Sequence, residues 1–183
     1  MWKNENLGKV LKEGGVVVMP TDTLYGVVGS ALNQFVVERI YNIRKRNLEK
    51  PCIILISDIT ELDKFSIHLY PGQKKTLSGY WPAPISAVID CENDDFFYLH
   101  RGTRTLAFRV PENEELRILL TATGPLIAPS ANLEARPPSR TISEAKEYFG
   151  DKVDLYIDGG EIRGKASKVI KLRRDGSIEI LRA

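Results

Sequence analysis

Two short stretches place hydroxyl, carboxylate and amide groups at the ends of apolar runs, and they share one grammar. Val16 to Met19 leads into Pro20-Thr21-Asp22-Thr23, and Leu126 to Ala128 leads into Pro129-Ser130-Ala131-Asn132. Proline cannot donate to a sheet ladder, so each strand should end at its proline. A buried strand that delivers hydroxyls and a carboxylate to a sheet edge builds a binding site. Gly26, three residues beyond Thr23, lets a ligand or another segment approach the main chain closely. The spacing alone describes an ordinary polar β-turn equally well. Arg109, on the apolar run Leu106 to Val110, is a third candidate for the same edge. An arginine on such a strand is not buried without an anionic partner.

A different chemistry is suggested by Arg44, Arg46 and Lys50, which fall within seven residues before Pro51 and an apolar run. A forked guanidinium and a point-charge ammonium together suit a triphosphate. Taken alone, a charged helix end accounts for the same residues. Other chemistries fail on composition. Gly159 to Lys165 nearly spells a phosphate loop, but Ala166 stands where the metal-binding hydroxyl belongs, and a strand rather than a helix should follow. No GxSxG elbow occurs, and His68 and His100, the two histidines, make neither a metal site nor a triad. Both read as surface residues.

The elements that must hold these groups alternate. Leu7, Val10 and Leu11 lie at helical spacing, and Gly14-Gly15 stops that helix. Val27 to Leu32 reads as a strand, Gln34 to Arg46 as a helix and Cys52 to Ile56 as a buried strand. Asp58 caps a short helix through Phe65, and a further helix follows Pro71 and stops before Trp81-Pro82-Ala83-Pro84. Ile85 to Ile89 and Leu106 to Val110 are strands, Glu112 to Thr121 and Ser143 to Phe149 helices. Val153 to Ile157, Lys168 to Leu172 and Ile178 to Leu181 are strands, the last two joined by the hairpin signal Asp175-Gly176. The pattern predicts an α/β fold, a mixed twisted sheet flanked by helices.

With 183 residues, 43% hydrophobic and 27% charged, the chain should form one domain, residues 1–183, with a substantial core. Net charge is +2, but Arg39 to Lys50 and Arg163 to Ala183 are basic while Asp90, Glu92, Asp94 and Asp95 cluster. Basic segments around a neutral middle suit a polyanion such as ATP or tRNA, and solvated faces explain each of them singly. Cys52 and Cys91 lack CxxC partners and read as reduced core residues of a cytoplasmic protein. No apolar run reaches membrane-spanning length, and the N-terminal four residues carry no signal peptide, so no membrane partner is expected.

Taken in order, GGVVVMPTDTLYG, the R-K-R…K-P cluster, YWPAPIS, LAFRVP, APSAN, RPPSRT and GGEIRGKAS resemble the YrdC/TsaC family of threonylcarbamoyl-AMP synthases, from about Leu7 to Arg182. The resemblance implies a YrdC/RibB-like fold and a single YrdC-like domain without the extra C-terminal domain of longer relatives. It also implies that ATP, brought as its Mg²⁺ complex, L-threonine and bicarbonate give threonylcarbamoyl-AMP and pyrophosphate. The product serves a TsaD-type transferase that modifies the adenosine beside the anticodon of tRNA. No protein-bound metal is implied, and no general base is assigned.

By the same resemblance Thr23, Arg109, Ser130 and Ser167 hold threonine. Arg44, Arg46, Lys50, Thr105, Asn132, Arg140 and Arg182 hold ATP. The chain departs from the family pattern at Arg44, usually lysine, and at Glu134-Ala135, usually Ser-Gly. It departs again at Ala83, Ser86 and Lys168. Two other readings belong to different classes. One is a catalytically weak paralogue that binds double-stranded RNA or tRNA. The other is a carbamoyl-transfer role like that of the related domain in hydrogenase maturation proteins, whose accompanying segments are missing from this sequence.

Overall fold

A computed structural model of the chain describes Trp2, residues 5–48 and residues 50–183; Met1, Lys3, Asn4 and Glu49 lie outside the described residues, with most of the N-terminal tetrapeptide. The helices are α1 (Glu5–Lys12), α2 (Gln34–Arg44), α3 (Pro71–Tyr80), α4 (Phe97–His100), α5 (Glu114–Thr123) and α6 (Ile142–Phe149). The strands are β1 (Val17–Pro20), β2 (Tyr25–Ser30), β3 (Ile53–Leu55), β4 (Ile85–Asp90), β5 (Thr105–Arg109), β6 (Leu126–Ile127), β7 (Leu155–Tyr156), β8 (Lys168–Leu172) and β9 (Ile178–Arg182). They form one mixed sheet in the order β7-β1-β2-β6-β3-β5-β4-β8-β9. The expected α/β architecture with a mixed, helix-flanked sheet is what the structure shows.

Strand parity explains the layers, because successive side chains point to opposite faces. Val18, Val27, Ile54, Phe108, Ala87 and Ile170 face one continuous core, which α2 and α6 cover with Val36, Ile40 and Phe149. Val17, Met19, Val28, Leu55 and Leu126 face a second core, sealed by Leu7 and Leu11 of α1 and Leu116 and Leu120 of α5. That second helical layer covers only part of the sheet. Val88 of β4, Ala107 of β5 and Val169 of β8, on the same face, line a cavity instead.

The helix ends follow local chemistry. Asn33 accepts hydrogen bonds from the N–H groups of Phe35 and Val36, and Asn113 from that of Leu116, satisfying donors the helices leave open. Asp58 caps the 3₁₀ turn Ile59–Phe65 through the Thr60 N–H, as expected. α2 stops at Arg44, earlier than its apolar spacing predicts, because Lys45 turns left-handed at φ 50° and donates its N–H to Asn42 O and Tyr41 O. The short helix α4 was not foreseen; four residues are too few to show a period.

One sequence reading is overturned. His100 is not on the surface: it is buried, its Nδ1 accepts the Gly102 N–H at 3.1 Å, and Phe97 packs edge-on to the ring. The left-handed residue Arg101 ends α4 directly after it. His68 is exposed, beside Asp63.

After β6 the chain forms a loop in which Ala135 holds φ 63°, the left-handed conformation that favours glycine. A Cβ there costs roughly 1–2 kcal/mol, more than the roughly 0.4–1 kcal/mol by which glycine's freer unfolded chain lowers stability. Ala135→Gly is therefore expected to raise stability by about 0.5–1 kcal/mol. Urea unfolding should show a higher midpoint at unchanged slope; a lower midpoint would mean that the loop is not strained.

Candidate active site

The cavity on the uncovered sheet face measures about 570 Å³. Segments far apart in the chain line it: the turn between β1 and β2, Arg46 with Pro51 to Ile53, Val88 of β4, β5 with Thr103, the stretch 128–130 with Pro138, and Ser167 and Val169 with Arg182. Thr105 and Arg109 are four residues apart on one face of β5, about 13 Å at the usual strand rise.

The turn between β1 and β2 is locked by its own hydroxyl. Thr21 Oγ1 donates to Leu24 O at 2.8 Å and accepts the N–H groups of Thr23 and Leu24. Thr21 Oγ1 and Thr23 Oγ1 are also 3.1 Å apart. Thr23 Oγ1 in turn accepts from Arg109 Nη2 at 3.3 Å, and the same nitrogen donates to Asp22 Oδ1 at 2.8 Å. The turn thus reaches past β6 and β3 to β5, three strands away. Arg109 and Asp22 side chains are 4% and 5% exposed, so this is a buried ion pair. Burial pushes the Arg109 guanidinium below the usual arginine range, and Asp22 draws it back. Asp22 Oδ2 and Arg109 Nε are buried there without hydrogen-bond partners among the described residues.

Positive charge converges opposite. Arg182 donates from Nε and Nη2 to Ser167 O, at 3.1 and 2.7 Å, and lies close enough to Arg109 for the two cations to repel. Ser167 Oγ is 2.9 Å from Ser86 Oγ, in a buried hydroxyl pair that fixes it. Ser86 therefore has a structural partner. Two guanidinium groups at one cavity wall favour an anionic ligand.

Not every expected residue reaches this cavity. Thr23, Arg46, Thr105, Arg109, Ser130, Ser167 and Arg182 line it; Arg44, Lys50, Asn132 and Arg140 do not. Arg44 lies on the inward side of the last turn of α2, and its guanidinium is buried. It donates from Nε to Asn132 O at 3.1 Å and from Nη2 to Asn132 Oδ1 at 3.0 Å. Burial lowers its pKa to about 10. Asn132 Oδ1 also accepts from Ser130 Oγ at 2.6 Å, while its Nδ2 donates to Leu133 O and Arg136 O. Arg44 and Asn132 therefore shape the loop that presents Ser130. Lys50 stands at the rim, 3.0 Å from Glu134. Arg140 is exposed, its carbonyl accepting the Ile162 N–H.

Sequence reasoning passed over three residues here. Asp22, read as part of the turn, is the buried anion that Arg109 needs. Tyr25 donates from its hydroxyl to Gly160 O and accepts the Gly159 N–H, pinning the exposed loop 158–166 over the turn. Gly164 comes so close that a Cβ would land on the Thr23 carbonyl. None of these contacts has a local sequence signal, since each joins segments far apart in the chain.

A family model described as "Telomere recombination" (Sua5, YciO and YrdC) matches residues 9–183. The chain belongs to this family. A protein named threonylcarbamoyl-AMP synthase from Pyrococcus abyssi is 31% identical over 93% of this chain and 51% of its own length. A Pseudomonas fluorescens protein of the same name is 28% identical over 90% of this chain and 88% of its own. The crystal structure of P. abyssi Sua5 complexed with L-threonine superposes with TM-score 0.88 at 30% identity, over 99% of this chain and 54% of that one. The chain thus spans about half the length of the P. abyssi relative and most of the P. fluorescens one.

Removing the anion from the buried pair should be costly: Asp22→Ala is expected to destabilise the protein by about 3–5 kcal/mol, because it strands a buried guanidinium. Combining it with Arg109→Met should recover most of that loss in chemical denaturation. A double variant as unstable as the single one would show that the charge is not the cause. Gly164→Ala should cost about 1–3 kcal/mol by overpacking and speed proteolysis within 158–166; an unaltered cleavage rate would count against the close approach.

Proposed function

We propose that the chain is a threonylcarbamoyl-AMP synthase, forming threonylcarbamoyl-AMP and pyrophosphate from L-threonine, bicarbonate and ATP. The observation that carries this reading is the single cavity in which Thr23, Arg109, Ser130 and Ser167 meet Arg46, Thr105 and Arg182. In a family whose members are named for that reaction, this set offers hydroxyls and a guanidinium for a hydroxy amino acid and further cations for a polyphosphate. The L-threonine complex of the P. abyssi relative is consistent with it.

The chemistry asks for position and charge more than for a covalent nucleophile. Threonine's amine adds to bicarbonate with loss of water, giving a carbamate. A carbamate oxygen attacks the α-phosphorus, and the bond from that phosphorus to the bridging oxygen breaks to release pyrophosphate. Arg109, anchored by Asp22, receives the threonine carboxylate, with Thr23, Ser130 and Ser167 beside it. Arg46, Lys50 and Arg182 neutralise charge on the phosphates and Thr105 contacts the nucleotide, with Mg²⁺ entering as part of the substrate. Arg44 and Asn132 act behind this wall by holding Ser130, and Arg140 stands outside it. The product passes to a TsaD-type transferase acting on tRNA.

Purified protein given ATP, threonine and bicarbonate should yield threonylcarbamoyl-AMP by mass spectrometry; a folded protein that forms none would refute the assignment. Arg46→Ala is expected to weaken ATP binding about tenfold, the scale of one charged hydrogen bond, with Tm nearly unchanged. Unaltered affinity in calorimetry would remove Arg46 from the site.

A further inference from the structure

Arg46 enters the cavity with its orientation already set. Its Nε donates to Lys50 O and its Nη2 to Pro51 O, each at 3.0 Å, which leaves Nη1 to face outward. That nitrogen faces Glu134 Oε2 at 3.8 Å, while Lys50 Nζ donates to Glu134 Oε1 at 3.0 Å. One carboxylate therefore gives one oxygen to each of the two cations, much as two oxygens of a phosphate would. Glu134 is itself held in place by its main chain, whose N–H donates to Arg44 O at 3.0 Å. Its side chain is 30% exposed, so it can swing into solvent without leaving a buried charge behind. With Glu134 in place the trio carries a net charge of +1; with it displaced, +2.

We propose that Glu134 is an internal counter-anion that holds Arg46 and Lys50 until a polyphosphate replaces it, and so limits how tightly this protein grips triphosphate and pyrophosphate. The proposal rests on the reading that phosphates lie against Arg46. In the empty site Glu134 prevents two cations from repelling one another and keeps them aligned. When a polyphosphate enters, its oxygens take both contacts and the carboxylate turns outward. When pyrophosphate has formed, Glu134 competes for the same cations and favours release. Glu134 thereby tunes affinity and product escape without touching the reacting atoms; it is a positioning residue.

The test is calorimetric titration of tripolyphosphate, ATP and AMP into the wild type, Glu134→Gln and Arg46→Ala. Glu134→Gln keeps the side-chain shape and removes the charge, so tripolyphosphate and ATP should bind about three- to tenfold more tightly, the scale of one partly exposed ion pair. Their affinity should also fall more steeply with salt, while AMP binding stays unchanged and pyrophosphate becomes a stronger product inhibitor. Weaker or equal polyphosphate binding to Glu134→Gln, with Arg46→Ala still impaired, would overturn the counter-anion role and leave the phosphate site standing. An equal gain for AMP and ATP would also overturn it, since a general rearrangement of the cavity would then be the cause. Tripolyphosphate binding unaltered by Arg46→Ala would remove the phosphate reading and the proposal together. Glu134→Ala, scored by the same comparisons, replaces Glu134→Gln if the latter has a lowered Tm.

Discussion

A guanidinium inside a sheet must find an anion, and in this protein that requirement joins parts of the chain that nothing else would bring together. Arg109 sits on β5, its side chain 4% exposed, and Asp22 comes to it from a hairpin turn three strands away. Leaving either charge alone would cost several kcal/mol, so the turn is held against β5 as firmly as by an apolar contact. The turn in turn carries Thr23 and Tyr25, and Tyr25 fastens the loop that passes over it. One wall and part of the roof of the cavity follow from that ion pair. Among the described residues, Asp22 Oδ2 and Arg109 Nε have no hydrogen-bond partner.

The cavity exists because coverage of the sheet is unequal. On one face the core is continuous from β1 to β8, but on the other α1 and α5 seal only the strands nearest them. The remaining strands of that face present Val88, Ala107 and Val169 to an open space. Apolar side chains form its floor and arginines its walls. This arrangement suits a ligand with a neutral body and anionic ends, because charges at a partly desolvated surface interact more strongly than in water.

The cations are graded by how they are neutralised. Arg44 is fully enclosed and bonded to the amide of Asn132, so it supports the loop without facing a ligand. Arg109 has a permanent partner in Asp22. Arg46 and Lys50 share Glu134, which is exposed enough to leave. Arg182 donates to the neutral carbonyl and hydroxyl of Ser167. Sequence adjacency hides this gradation: Arg44 and Arg46 are two residues apart, yet one points into the loop core and the other into the cavity. A helix that ends in a left-handed residue between them separates their directions.

The amino-acid sequence by itself determined most of the elements, though neither α4 nor every boundary, because period and punctuation are local properties. The strand Lys168–Leu172, the capped turn after Asp58, the helix from Pro71 and the two proline-ended strands were all legible. The need of Arg109 for an anion was legible as well, from the cost of burying a lone charge. Which anion answers it was not, since Asp22 is 87 residues away and only sheet order brings it near. The burial of His100 escaped notice for a similar reason: a four-residue helix has no readable face. Tertiary structure alone decided which polar residues share a cavity and which support it from behind. Side-chain direction depends on where each helix stops and on which sheet face the helices leave bare, and neither is encoded within any short stretch of the chain.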